Sequence, residues 1–176
     1  MSKDYLPHKI DPFKSAVHET QVHGHLKIHD MQRLNSSLHS TEGEVEVNMV
    51  FAIDEQKICT IRGHVKTNVM LQCQRCMESF EYAIMSDFVA GVVKDEQEAT
   101  DLPEGYTPVV ASEDGMLVIQ DMIEDELIVN LPVVPMHDPD KCKIKLPFEA
   151  GSSEQVETNN PFNVISILRS KEKKNS

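Results

Sequence analysis

"EVEVNMVFAI", residues 44–53, decides how this chain folds. Val45, Val47, Met49 and Phe51 alternate with Glu44, Glu46 and Asn48. A period of two puts the apolar set on one face and the polar set on the other, which predicts a half-buried antiparallel strand. "DEQK" supplies the turn, and "ICTIRGHVKTNVML" (58–71) runs back with the alternation carried by Ile61, Gly63, Val65 and Thr67. Gly63, with no side chain to pack, is expected at a bulge. A second reversal falls at Cys73–Met77, and "FEYAIMSDFVAGVV" (80–93) makes a third long strand. Three such strands in succession predict a meander with one face packed on helices.

Working outward, Asp11-Pro12 is a helix start: a side-chain acceptor at the N-cap and proline at the first helical position. A short helix is expected over residues 12–19. "TQVHGHLKI" (20–28) reads as a strand, and "HDMQRLNSSLHS" (29–40) as a short helix capped by Asp30, with Met31, Leu34 and Leu38 at helical spacing. Beyond the meander, "DEQEATDLPEGY" (95–106) is an expected acidic loop and "TPVVAS" (107–112) a short strand. "LVIQDMIEDELIVNL" (117–131) predicts a helix with Ile119, Met122, Ile123, Leu127 and Leu131 or Val129 on one face. Asp121, Glu124 and Asp125 fall on the other, and Pro132 ends it.

The fold expected is α+β: one domain over residues 1–148, a mostly antiparallel sheet with a few packed helices, with closure into a barrel left open. "EAGSSEQVETNN" supplies a polar, flexible linker over 149–160. Residues 161–176 then make a short C-terminal helix with a basic end, started by Asn160-Pro161, with Phe162, Ile165 and Leu168 on one side and Arg169 opening the basic run.

The net charge of −12 over 176 residues is uneven. From Asp87 to Glu126 there are twelve acidic residues against one base, Lys94. Phosphate-backbone binding comes from Lys and Arg displacing counterions, so this chain is a poor general nucleic-acid binder. Any RNA contact would have to use the ends, through Lys3, Lys9, Lys14, Arg169, Lys171 and Lys173, and the alternative route is through a protein partner. The acidic block is a solvated face, and its helix is a candidate surface for basic proteins. "MSKDYLPHKIDPFKS" has no apolar core of a signal peptide, and no run of 18 apolar residues exists, so a cytoplasmic, membrane-free protein is expected.

Chemistry centres on "LQCQRCMESF" (71–80). A redox Cys-x-x-Cys asks for a helix N-terminus that lowers a thiol pKa, whereas this pair sits on a strand-to-strand turn. A metal asks for two more soft or imidazole ligands at another reversal, and "PMHDPDKC" offers His137 and Cys142. Cys73, Cys76, His137 and Cys142 are therefore a candidate structural zinc site, against the alternative of packed thiols and a surface histidine. Cys59, mid-strand, reads as packing. "HETQVH" resembles the zincin helix, but His18 and His23 are five apart and miss a common face. There is no Gly-rich phosphate loop and no nucleophile–base order, so no small-molecule substrate or catalytic residue is expected.

"LQCQRCMESF", "IEDELIVNLPVVPMHDPDKC" and "NPFNVISILR" together resemble the YceD family of large ribosomal RNA subunit accumulation proteins, and "LPHKIDPFKSA" and "LPEGYTPV" extend the resemblance nearly end to end. It implies a bacterial cytoplasmic factor supporting synthesis, processing or stability of 23S ribosomal RNA, without a reaction of its own. The absence of any catalytic constellation counts against the alternative of an enzyme acting on ribosomal RNA. Its implied partners are ribosomal or precursor RNA, ribosomal proteins or other assembly factors. Some relatives carry more cysteines in the loop matching residues 137–142, in a pattern like a zinc knuckle; this chain keeps only His137 and Cys142 there.

Overall fold

The computed structural model describes residues 6–144. In chain order the elements are β1 (Lys9–Ile10), α1 (Pro12–Val17), β2 (Gln21–Lys27), a 3-10 turn (Ile28–Asp30), α2 (Gln32–Asn35), β3 (Glu44–Ile53), β4 (Cys59–Gln72) and β5 (Ser79–Val93). They continue with α3 (Glu96–Thr100), β6 (Thr107–Val110), β7 (Leu117–Val118), α4 (Ile119–Val129) and a 3-10 turn at Pro139–Lys141. The expected linker 149–160 and helix 161–176 lie outside the described residues.

β2, β3, β4 and β5 form an antiparallel meander, and β6 adds parallel to β5 at the edge, giving the order β2-β3-β4-β5-β6. The sheet is mixed and open; β2 and β6 end it and do not pair, so no barrel closes. β1 and β7 make a separate two-stranded ladder, Lys9 opposite Val118 and Ile10 opposite Leu117.

The alternation read in residues 44–53 is what buries one face. Val45, Val47, Met49 and Phe51 are at most 1% exposed, and their cross-strand neighbours Val65 and Ile61 are fully buried. α1 lies against β3 and β4, α2 packs on α4, and Ile119, Ile123 and Leu127 of α4 join the same apolar cluster. α1 begins as its sequence dictates: the Asp11 carboxylate accepts from Lys14 N at 3.0 Å. That bond, then the nearby Lys14 ammonium, holds the Asp11 carboxyl below its ordinary range.

Four expectations change. Gly63 sits in unbroken register between Met49 and Phe88, with no bulge. A Cβ there would lie 2.0 Å from Phe88 Cζ, so glycine is required by the ring lying over it. The acidic loop contains α3, capped by Asp95, whose Oδ1 accepts from Gln97 N (3.0 Å) and Glu98 N (2.9 Å). Asp30 does not cap the helix that follows, since α2 starts after Met31 and Asp30 pairs with His29 at 2.9 Å. Glu124 leaves the solvated face of α4 and is 3% exposed.

Candidate metal centre and interaction surfaces

The β4–β5 hairpin turns through Cys73–Glu78. Cys73 N donates to Glu78 O at 2.8 Å, and Met77 N to Cys73 O at 2.8 Å; Met77 takes φ 62° to close the turn. The segment after α4 returns to this tip, where Gln74 N donates to Pro135 O at 2.9 Å. The His137 ring stands edge-on to Phe80, centroids 5.5 Å apart. The 3-10 turn at Pro139–Lys141 then delivers Cys142, 4% exposed, to the same place. Lys143 and Glu78 form an ion pair that ties the far side of the loop to the hairpin.

The ligand atoms of Cys73, Cys76, His137 and Cys142 all lie within 4.8 Å of one another, and Cys76 Sγ is 3.5 Å from His137 Nε2. Bonds of about 2.0–2.3 Å from a tetrahedral zinc would space such atoms about 3.5–4 Å apart, so the set fits with a small contraction. Burial works against a charged Cys73 thiolate, but backbone N–H groups of Cys76, Arg75 and His137 point at its sulfur and outweigh it. The Cys73 thiol is held down to about 6. A sulfur already held as thiolate at neutral pH, cradled by N–H donors, is the form a metal takes. Glu78's N–H favours the charged form of Cys76, but burial and the neighbouring Cys73 and Cys142 raise its pKa overall. Three thiols crowded together repel as thiolates, and a dication relieves that repulsion. The fourth cysteine is of another kind: burial, then the charge of Asp11, pushes Cys59 up to about 11, and its Sγ donates to Pro12 O at 3.5 Å.

On α4 the three carboxylates singled out from sequence divide. Asp121 is exposed. Asp125 is exposed and ion-paired with Arg33. Glu124 turns inward and accepts from Arg33 N (2.6 Å), Leu34 N (2.9 Å) and Arg33 Nε (3.1 Å). Phe162, Ile165, Leu168 and Arg169 lie outside the described residues. Of the basic residues expected to meet RNA near the start of the chain, Lys9 pairs with Asp114 at 3.5 Å and Lys14 with Asp11 at 3.0 Å.

Sequence reading followed the inward positions of the strands and passed over the outward ones. Register aligns Val50–Arg62–Val89, Asn48–His64–Asp87 and Glu46–Lys66–Met85 across β3, β4 and β5 on the open face. His64 Nδ1 sits 2.7 Å from Asp87. Arg62 and Lys66 are exposed there, away from either terminus. The signal that could have found them is the polar half of the same alternation.

Among the described residues no helix is long and apolar enough to cross a membrane. No solved structure matches the chain. It is 33% identical over 174 residues to the large ribosomal RNA subunit accumulation protein YceD of Haemophilus influenzae, across 97% of this chain and 100% of the relative. The family model for the same proteins matches residues 61–174, a span that opens on β4 and takes in the cysteine hairpin, α4 and the His137–Cys142 loop. Hairpin, acidic helix and the His137–Cys142 loop thus fall together within one family pattern, and the chain belongs to the YceD family of large ribosomal RNA subunit accumulation proteins.

Proposed function

We propose that this protein supports the accumulation of 23S ribosomal RNA in the cytoplasm as an accessory factor, acting by binding and catalysing no reaction. The observation that carries this reading is the end-to-end match to a relative named for that role, 97% of one chain against 100% of the other. Deleting the gene and measuring 23S against 16S RNA tests it. The 23S level should fall and return on complementation; an unchanged ratio would remove the reading.

Direct contact with RNA would use the exposed cations, Arg62 and Lys66 on the open sheet face together with the basic termini. Crosslinking in cells followed by sequencing of attached RNA should give reads at defined 23S or precursor positions. A second reading, favoured by the acidic stretch 87–126, is an adaptor that presents α4 to basic ribosomal proteins. Background-level RNA in the crosslinking experiment would favour it.

Cys73, Cys76, His137 and Cys142 hold one zinc ion in this proposal. A site with all four positions filled by protein leaves none for substrate, so the ion's role is structural: it pins the tip of the β4–β5 hairpin to the loop after α4.

A further inference from the structure

Among the described residues the buried face of the sheet stays uncovered at one corner, where β5, β6, β7 and α4 enclose a groove of about 420 Å³. Phe88, Met122, Val110 and Val129 line it, with the carboxylates of Asp121 and Glu126. Two of the apolar residues face water, Val129 at 81% and Val110 at 44% exposure. Such a volume takes a few side chains of leucine or phenylalanine size.

The charges define what else must come with them. The Asp121 carboxylate makes no ion pair among the described residues, although Arg33 Nη2 donates to its main-chain carbonyl at 3.1 Å. Among the described residues Glu126 accepts only from neutral groups, Ser86 Oγ at 2.6 Å and Asn130 Nδ2 at 2.9 Å, so no described cation balances its charge. Among the described residues no lysine or arginine lines the groove, and its third carboxylate, Asp125, is paired with Arg33. Phosphates would meet carboxylates here, so RNA is the wrong occupant. A strand added to the edge at β6 would find Pro108 without an N–H to give, so the groove is better suited to a helix or turn than to sheet extension.

We propose that this groove docks a basic segment of a protein partner, with apolar side chains seated between β6 and α4 and flanking Arg or Lys on Asp121 and Glu126. This deepens the adaptor reading and rests on it. The probe is a synthetic amphipathic helix of about a dozen residues built from Leu and Arg, titrated into the full chain and followed by methyl NMR. A twin with Glu for Arg and a short single-stranded RNA serve as controls. The Leu/Arg peptide should shift the methyls of Met122, Val110 and Val129, and lose affinity as salt rises. Asp121→Lys and Val129→Ser should each weaken it by about fivefold or more. Both positions are exposed, and an unchanged amide spectrum outside the groove shows that the variants fold.

Equal binding of the Glu twin, shifts confined to another surface, the RNA shifting the same methyls, or no binding at all would overturn the proposal. Measuring 23S RNA in the deletion strain separates the two ideas. Normal complementation with a silent groove rejects the groove alone, whereas unchanged RNA with a filled groove rejects only the role in RNA accumulation.

Discussion

Glu124 caps a helix to which it does not belong. α2 opens after Met31, which offers no side-chain acceptor, and its first-turn N–H groups at Arg33 and Leu34 are satisfied instead by the Glu124 carboxylate, reaching across from α4. Arg33 Nε adds a charge-assisted bond at 3.1 Å, and the same guanidinium reaches Asp125 and the Asp121 carbonyl. A helix of four residues cannot hold itself, so its geometry is imposed by this clamp and by buried Leu34.

Glu124→Ala should therefore cost about 2–3 kcal/mol, because one buried and one part-buried backbone donor lose their acceptor. Arg33→Ala should cost less, about 1 kcal/mol, since its side chain is half exposed and the backbone bonds survive. Urea unfolding of both variants checks the order. Equal losses would mean that the ion pair, and not the cap, is what matters.

Gly63→Ala should destabilise by about 1–3 kcal/mol, because the new methyl overlaps the Phe88 ring and one of them must move. Phe88→Leu alone should also destabilise, by opening space over the glycine. Combined, the two changes should cost less than their sum, since leucine leaves room for the methyl. Strict additivity in the double-mutant cycle would rule out the contact as the reason for glycine.

Protein purified without chelator should carry about one zinc per chain. Cys73→Ser or Cys142→Ser should drop the metal and lower the melting temperature, and chelation should move the wild type toward the variants. Metal-free protein with an unchanged melting curve after Cys73→Ser would eliminate the site.

Acid should weaken the fold through specific carboxylates. The Tyr106 hydroxyl, 2.6 Å from Asp54, and the N–H groups of Ile58 and Gln56 hold the Asp54 carboxyl below its ordinary range. A carboxyl depressed in the folded state stabilises above its unfolded value of about 4, and that stabilisation is lost as pH falls through the folded value. Tyr106→Phe should thus cost stability at pH 7 and flatten the decline below about pH 4. Parallel pH curves for variant and wild type would contradict the assignment.

The meander was legible because β3, β4 and β5 each bury one face, and a period of two survives in sequence wherever that is so. Asp11-Pro12 was legible because cap and helix are neighbours in the chain. The α2 cap was not, since its acceptor lies 90 residues away from Leu34 and no local pattern can announce it. Gly63 misled for a related reason: the ring that requires it is on the next strand. β6 was read as a strand, but its parallel pairing depends on the path of residues 94–106 and carries no signature in "TPVV". The four clustered residues could be singled out because thiols and imidazole are rare enough to count, even though Cys73 and Cys142 come from different elements.

The pairing of Lys9 with Val118 gives the fold a direction in time. During synthesis the meander can close as soon as Val93 is free, from strands that follow one another. β1, although made first, has no partner until Val118 arrives, and α2 has no cap until Glu124 does. The nascent chain must therefore carry β1 unpaired and the α2 turn uncapped until residues 117–124 follow, and both are secured together by that one late segment.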